Sequence, residues 1–124
     1  MMIRVSKPSP HPLLPHPLLP YPLADVHGAA MRLIHTSDWH LGRTLHGESL
    51  LEHQAGFLEW LLAQAVSQHA DAVVVAGDVY DRAVPSTDAV TLLDGALTAF
   101  ARQRIPVAYP ATGGTANLAI NVRF

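Results

Sequence analysis

Met31-Arg-Leu-Ile-His-Thr-Ser-Asp-Trp-His-Leu-Gly42 and Val75-Ala-Gly-Asp-Val-Tyr-Asp-Arg-Ala-Val-Pro-Ser86 are the stretches that decide the fold. Arg32 to Thr36 is a short apolar run that breaks into Ser37-Asp38, the pattern of a buried strand feeding a loop. Ala72-Val-Val-Val-Ala76 is apolar throughout, as parallel strands covered on both faces tend to be, and Gly77-Asp78 ends it. Between the two, Gly42 and Gly47 punctuate a loop. From about Ser49 to His69, Leu51, Ala55, Leu58, Leu62 and Ala65 then recur at helical spacing, with Glu52, Glu59 and Gln64 elsewhere on the helix.

Working outward, Pro85-Ser86-Thr87-Asp88 reads as a helix start, with cap residues followed by an acid suited to the positive end of the dipole. Ala89, Leu93, Ala96 and Phe100 line the inner face of that helix, and Ile105-Pro-Val-Ala-Tyr109 makes a third strand. The order β-α-β-α-β predicts right-handed crossovers and a parallel sheet, an α/β fold. Three strands and two helices are half of a layered sandwich, which leaves one strand edge and one sheet face uncovered. After Tyr109 the pattern loses coherence: Pro110-Ala-Thr-Gly-Gly-Thr-Ala116 is turn-like, and Asn117 to Phe124 is short and mildly apolar.

The chain has 124 residues, room for one modest domain. With 49% hydrophobic and 15% charged residues it has the composition of a folded soluble protein, and the formal charge of -2 provides no basic footprint for nucleic acid. Any such binding needs a local patch or a partner. The absence of cysteine excludes disulfides and thiolate metal sites and fits a reducing cytoplasm, the expected location. No apolar run approaches the roughly 20 residues that span a bilayer, so no membrane role is expected.

Residues 1–30 differ in kind. Seven of the ten prolines fall between Pro8 and Pro22, in the near-repeat His11-Pro-Leu-Leu-Pro15, His16-Pro-Leu-Leu-Pro20, Tyr21-Pro22-Leu23. Proline this dense removes amide donors and blocks helix, so the leader is expected to be polyproline-like or disordered. Prolines interrupt every apolar run, which excludes a signal peptide despite Arg4 and Lys7. The expectation is a leader that is not native, with Met31 as the natural start, in preference to a proline-rich partner ligand.

The chemistry-bearing residues sit where open α/β sheets gather ligands, beyond the carboxyl ends of the strands. Asp38 and His40 follow the first strand and Asp78 the second. Alternate residues of an extended segment point the same way, so Asp38 and His40 can grip one metal together. Asp78 could bridge that ion to a second. Two ions about 3.5–4 Å apart polarise a phosphodiester and activate water near neutral pH. Carboxylate plus imidazole suits Mn, Fe or Zn, with the oxygen share favouring Mn. Each motif alone is commonly structural; both at neighbouring strand ends, one βα unit apart, are far more specific.

These two stretches, within Met31 to about Val107, closely resemble the start of the SbcD branch of the calcineurin-like metallophosphoesterases, the nuclease subunits of SbcCD-type DNA-repair complexes. The resemblance implies a four-layer α/β/β/α nuclease domain with two Mn ions. It also implies a heteromeric complex with an SbcC-type ATPase that cleaves DNA ends and hairpins, as exonuclease and endonuclease, in repair, recombination and replication. Carried over, Asp38 and His40 match ligands of the first metal, and Asp78 the bridging carboxylate. The family continues after the third strand with Gly-Asn-His-Asp or Glu, whose Asn binds the second metal and whose His is catalytic. Here that stretch reads Tyr109-Pro-Ala-Thr-Gly-Gly-Thr115, Asn117 is followed by Leu118, and no histidine follows His69. No catalytic residue is therefore assigned, and the chain alone is expected to hold at most one weakly bound divalent metal and to be inactive.

The expected organisation is a leader over 1–30, a partial nuclease domain over 31–109 and a non-family tail over 110–124, with a frameshifted or mis-bounded reading frame as its origin. Two other readings stand beside it: a non-catalytic module that binds the ATPase, and a phosphoesterase of the same fold with a non-DNA substrate. Among lesser residues, Asp81 is expected to brace the loop after Asp78 as a hydrogen-bond partner behind the ligands, and Arg43 and Arg82 to offer phosphate contacts. Trp39 is expected to pack against the sheet, His35 to pack in the core, and His46, His53 and His69 to lie at the surface.

Overall fold

The computed structural model describes residues 3–6, 30–110 and 120–123. In chain order it contains β1 (Ile3–Ser6), β2 (Leu33–Ser37), β3 (Thr44–Leu45), β4 (Glu48–Ser49), α1 (Leu51–Ser67), β5 (Ala72–Ala76), α2 (Thr87–Arg102), β6 (Val107–Pro110) and β7 (Ile120–Arg123). The expected three parallel strands form the middle of one sheet ordered β1-β2-β5-β6-β7. Register runs Leu33↔Ala72 to Ser37↔Ala76 between β2 and β5, and Val73↔Val107 with Val74↔Ala108 between β5 and β6. Both crossovers step in the same direction, and right-handed crossovers that do so lay their helices on one face of the sheet. α1 and α2 accordingly pack side by side.

Alternation along the strands sets the core. Ile34 and Thr36 of β2, Val73 and Val75 of β5 and Val107 of β6 are buried beneath the helices. They meet Leu58, Leu61 and Ala65 of α1 and Ala89, Leu93, Leu97 and Phe100 of α2. Burying side chains of this size contributes roughly 1.5–3 kcal/mol each. The apolar run of β5 predicts cover on both faces, but only Val73 and Val75 are fully buried, and Ala72, Val74 and Ala76 are half-buried. His35 corrects the sequence reading in the same way. It lies on the face away from the helices and is exposed, because period-two alternation says which residues share a face but not which face is covered.

Two flanking strands depart from the sequence expectation. The composition of the leader predicts a polyproline-like or disordered segment, but Ile3–Ser6 pairs antiparallel with β2, from Ile3↔Thr36 to Ser6↔Leu33. These four residues precede the first proline and keep all their amide donors, so they can take up the open edge of β2. The proline-dense stretch itself lies outside the described residues. At the other edge Ile120–Arg123 pairs antiparallel with β6, from Val107↔Arg123 to Pro110↔Ile120. The turn-like segment 111–119 also lies outside the described residues.

The helix starts differ. Ser86 caps α2 by accepting a hydrogen bond from the Ala89 amide at 3.2 Å, with Asp88 in the first turn, as its sequence predicts. α1 has no side-chain cap at Leu50, though Ser49 Oγ accepts from the Leu51 amide at 3.3 Å. Ahead of α1, β3 and β4 form a small hairpin. Its two-residue turn, His46-Gly47, has both residues at positive φ, 51° and 82°, the conformation that matches the twist of the flanking strands.

Candidate metal centre

The β2–β5 ladder does not stop at the strand ends. Asp38 N donates to Ala76 O at 3.0 Å, His40 N to Asp78 O at 3.1 Å, Leu41 N to Val79 O at 2.8 Å, and Asp81 N back to Leu41 O at 3.1 Å. Residues 38–41 and 76–81 therefore stay in register as they leave the sheet, with Leu41 and Tyr80 forming a last parallel bridge. Buried side chains pin both segments. Leu41 and Val79 join the core, and Trp39 is 4% exposed, donates from Nε1 to Thr36 Oγ1 at 3.1 Å and packs edge-on to Phe57. This packing is the role expected of Trp39.

Asp38 and His40 reach one side of the loop by a different route from the extended segment inferred from sequence. Both have left-handed backbones, with φ 54° and 44°. Such a conformation costs a non-glycine residue about 1–2 kcal/mol, which the ladder and the Trp39 anchor offset. Gly77, at φ 70°, explains the glycine before Asp78: a Cβ there would lie 2.2 Å from Asp38 Oδ1, so the carboxylate rests directly on the glycine backbone.

The side chains form a chain of contacts. Asp38 Oδ1 lies 4.0 Å from His40 Nε2, and His40 Nδ1 lies 3.5 Å from Asp81 Oδ1. Arg43 Nε donates to the same Asp81 oxygen at 2.9 Å. Asp81 thus faces the imidazole from behind, and with the proton on Nδ1 the Nε2 lone pair is presented toward Asp38. Arg43, expected as a phosphate contact, has its Nε engaged by Asp81, so it braces the loop. Arg82 is exposed and makes no ion pair among the described residues.

Asp78 stands apart. It is exposed, its carbonyl accepts from His40 N, and among the described residues no hydrogen bond or ion pair joins its carboxylate to Asp38, His40 or Asp81. Nor do three or more His, Asp or Glu side chains gather anywhere among the described residues in an arrangement able to hold a metal. The structure therefore brings together Asp38 with His40 and His40 with Asp81, and leaves the expected bridging residue at the rim. The donor chemistry still suits a divalent cation: three carboxylates end two adjacent strands, with a single guanidinium paired among them, and an imidazole nitrogen is aimed at one carboxylate.

Two neighbours complete the surroundings. Burial, with Tyr109 and Asp94 nearby, holds the Tyr80 phenol above its usual pKa. Gln54 of α1 reaches the loop with both ends of its amide: Nε2 donates to Trp39 O at 3.2 Å and to His40 O at 2.9 Å, and Oε1 accepts from Gly42 N at 3.0 Å. Sequence reasoning missed Gln54, because a polar residue on an amphipathic helix reads as solvated surface. His46, His53 and His69 are exposed, as expected.

Residues 31–113 match the family model of the calcineurin-like phosphoesterases. The chain is also similar to the SbcD subunit of the SbcCD nuclease of Staphylococcus saprophyticus, with 48% identity over 64 residues. That similarity covers 52% of this chain and 17% of the relative, so the chain spans a small part of the relative's length. A ladder that carries an Asp-x-His loop and a Gly-Asp loop out of the carboxyl ends of two neighbouring strands, inside a family match of this extent, makes the chain a member of the calcineurin-like phosphoesterase family.

Proposed function

We propose that this chain carries the first-metal half of a DNA phosphodiesterase site, of the kind named in its staphylococcal relative, and that by itself it does not cleave DNA. The observation that supports the reading is the Asp38–His40 pair with Asp81 behind the imidazole. Asp38 and His40 would hold a divalent cation, Mn suiting one carboxylate and one imidazole. Asp78, exposed at the rim of the pair, would be the third donor. The bound cation supplies Lewis-acid polarisation of a phosphoryl oxygen and lowers the pKa of a water. Asp81 keeps His40 in the tautomer that leaves Nε2 free, Arg43 holds Asp81, and Arg82 meets the nucleic-acid backbone.

Inactivity rests on the sequence of this chain. From the end of β6 onward, Tyr109-Pro-Ala-Thr-Gly-Gly-Thr115 offers no imidazole and no carboxylate, and no histidine follows His69. A proton donor for the leaving oxygen and the ligands proper to a second ion are thus missing from it. In the working complex these come with the rest of a nuclease subunit and its SbcC-type ATPase, acting in DNA repair, recombination and replication. The test is incubation of the purified chain with hairpin DNA and, separately, a small phosphodiester in Mn²⁺. The expected result is no turnover of either. Hairpin cleavage that disappears in Asp78→Ala would overturn the inactivity, and cleavage of the small ester alone would overturn the DNA assignment.

A further inference from the structure

We infer that Gln54 is the positioning residue for the loop that carries Asp38 and His40, acting through the backbone of Trp39, His40 and Gly42. The inference deepens the metal-site reading and rests on it for its functional meaning. Asp38 and His40 both sit in left-handed backbone, a conformation that each residue alone would leave. On one side the β5 ladder holds them through their amides. Among the described residues no strand pairs with their carbonyl side, and the next segment turns away into the β3–β4 hairpin.

Gln54 supplies the missing edge. Its Nε2 donates to the Trp39 and His40 carbonyls, and its Oε1 accepts from the Gly42 amide, so one side chain satisfies three backbone groups across four residues. Gly42 needs the held conformation: its φ is 87°, and a Cβ there would stand 3.2 Å from the Ala89 methyl. The contact also ties the loop to α1, whose Leu58 and Leu61 are locked in the core. Only a primary amide fits. A carboxylate at 54 would set oxygen against two carbonyl oxygens, and an aliphatic chain would leave the Trp39 carbonyl and the Gly42 amide unpaired and the His40 carbonyl with the Arg43 amide alone.

The experiment compares the full chain with Gln54→Met, Gln54→Glu and the exposed neighbour His53→Ala, reading amide hydrogen exchange and Mn²⁺ affinity by electron paramagnetic resonance. In Gln54→Met the Gly42 amide is expected to exchange roughly tenfold faster, while amides of β5 and α2 are unchanged. Mn²⁺ is expected to bind about 10–100-fold more weakly. Gln54→Glu should behave like Gln54→Met, whereas a role in filling space would let both resemble the wild type. His53→Ala should change nothing. Unchanged Gly42 exchange in Gln54→Met overturns the inference. A wild-type chain that binds no Mn²⁺, while Gln54→Met still frees Gly42, upholds the clamp and overturns the metal reading instead. If Gln54→Met does not fold, Gln54→Asn, one carbon shorter, is judged by the same Gly42 criterion.

Discussion

The ends of β5 and β6 lie on adjacent strands, about 4.8 Å apart as neighbours in any sheet are, yet they finish in opposite ways. β5 and its partner β2 run on into polar loops whose amides continue the ladder for several residues, so Asp38, His40, Asp78 and Asp81 emerge at defined places. β6 ends at Tyr109-Pro110, where proline has no amide to extend a parallel ladder, and its edge is taken by the antiparallel β7. Among the described residues the same scaffold therefore yields a strand end furnished with candidate-site side chains and a bare one.

The largest effect on the furnished end is expected from Gly77→Ala. It sets a methyl against the Asp38 carboxylate at a positive φ, and about 1–3 kcal/mol of stability should be lost in urea unfolding, along with Mn²⁺ binding. An unaltered midpoint would mean that Asp38 does not rest on Gly77. Asp81→Asn comes next: it keeps the shape and removes the charge behind His40. Mn²⁺ affinity should fall about tenfold, with under about 1 kcal/mol of stability lost, because the Arg43–Asp81 pair is largely solvated. Calorimetric titration separates the two.

Smaller changes probe the shared scaffold. Ser86→Ala removes the α2 cap and should cost about 1 kcal/mol while leaving Mn²⁺ affinity intact. A loss of metal binding there would mean that the cap, which borders the loop at Gly42, also sets the conformation of that loop. The smallest effect concerns Tyr80, between the two strand ends. Its folded pKa is raised, first by burial and then by Tyr109 and Asp94, so the folded state keeps its proton longer than the unfolded chain. The corresponding stability is intact below the unfolded tyrosine value near 10 and is lost as pH rises through the raised value. Tyr80→Phe should flatten that alkaline decline in thermal melts, and an identical decline would remove Tyr80 as its source.

Much of the furnished end was legible in the sequence. The apolar runs at Leu33 and Ala72, the helical spacing of Leu58 and Ala65 and the Ser86 cap fixed the three parallel strands and their helices, and strand ends located Asp38, His40 and Asp78. What escaped depended on long-range or conformational detail. Ile3–Ser6 and Ile120–Arg123 are too short to signal strands, and only the open edges of β2 and β6 give them partners. The left-handed backbones of Asp38 and His40 leave only a faint mark in residue type: Asp and His adopt them more readily than most side chains, but glycine stands at neither position. Asp81 is assignable to the loop from sequence, but its hold on both His40 and Arg43 requires the register of the extended ladder, and Gln54 requires the packing of α1.

The most direct test of a furnished end beside a bare one is Mn²⁺ stoichiometry by equilibrium dialysis, on the full chain and on Asp38→Ala. One weakly held ion per chain is predicted, with about a hundredfold loss of affinity in the variant. Two ions per chain, or one that survives Asp38→Ala, would contradict it.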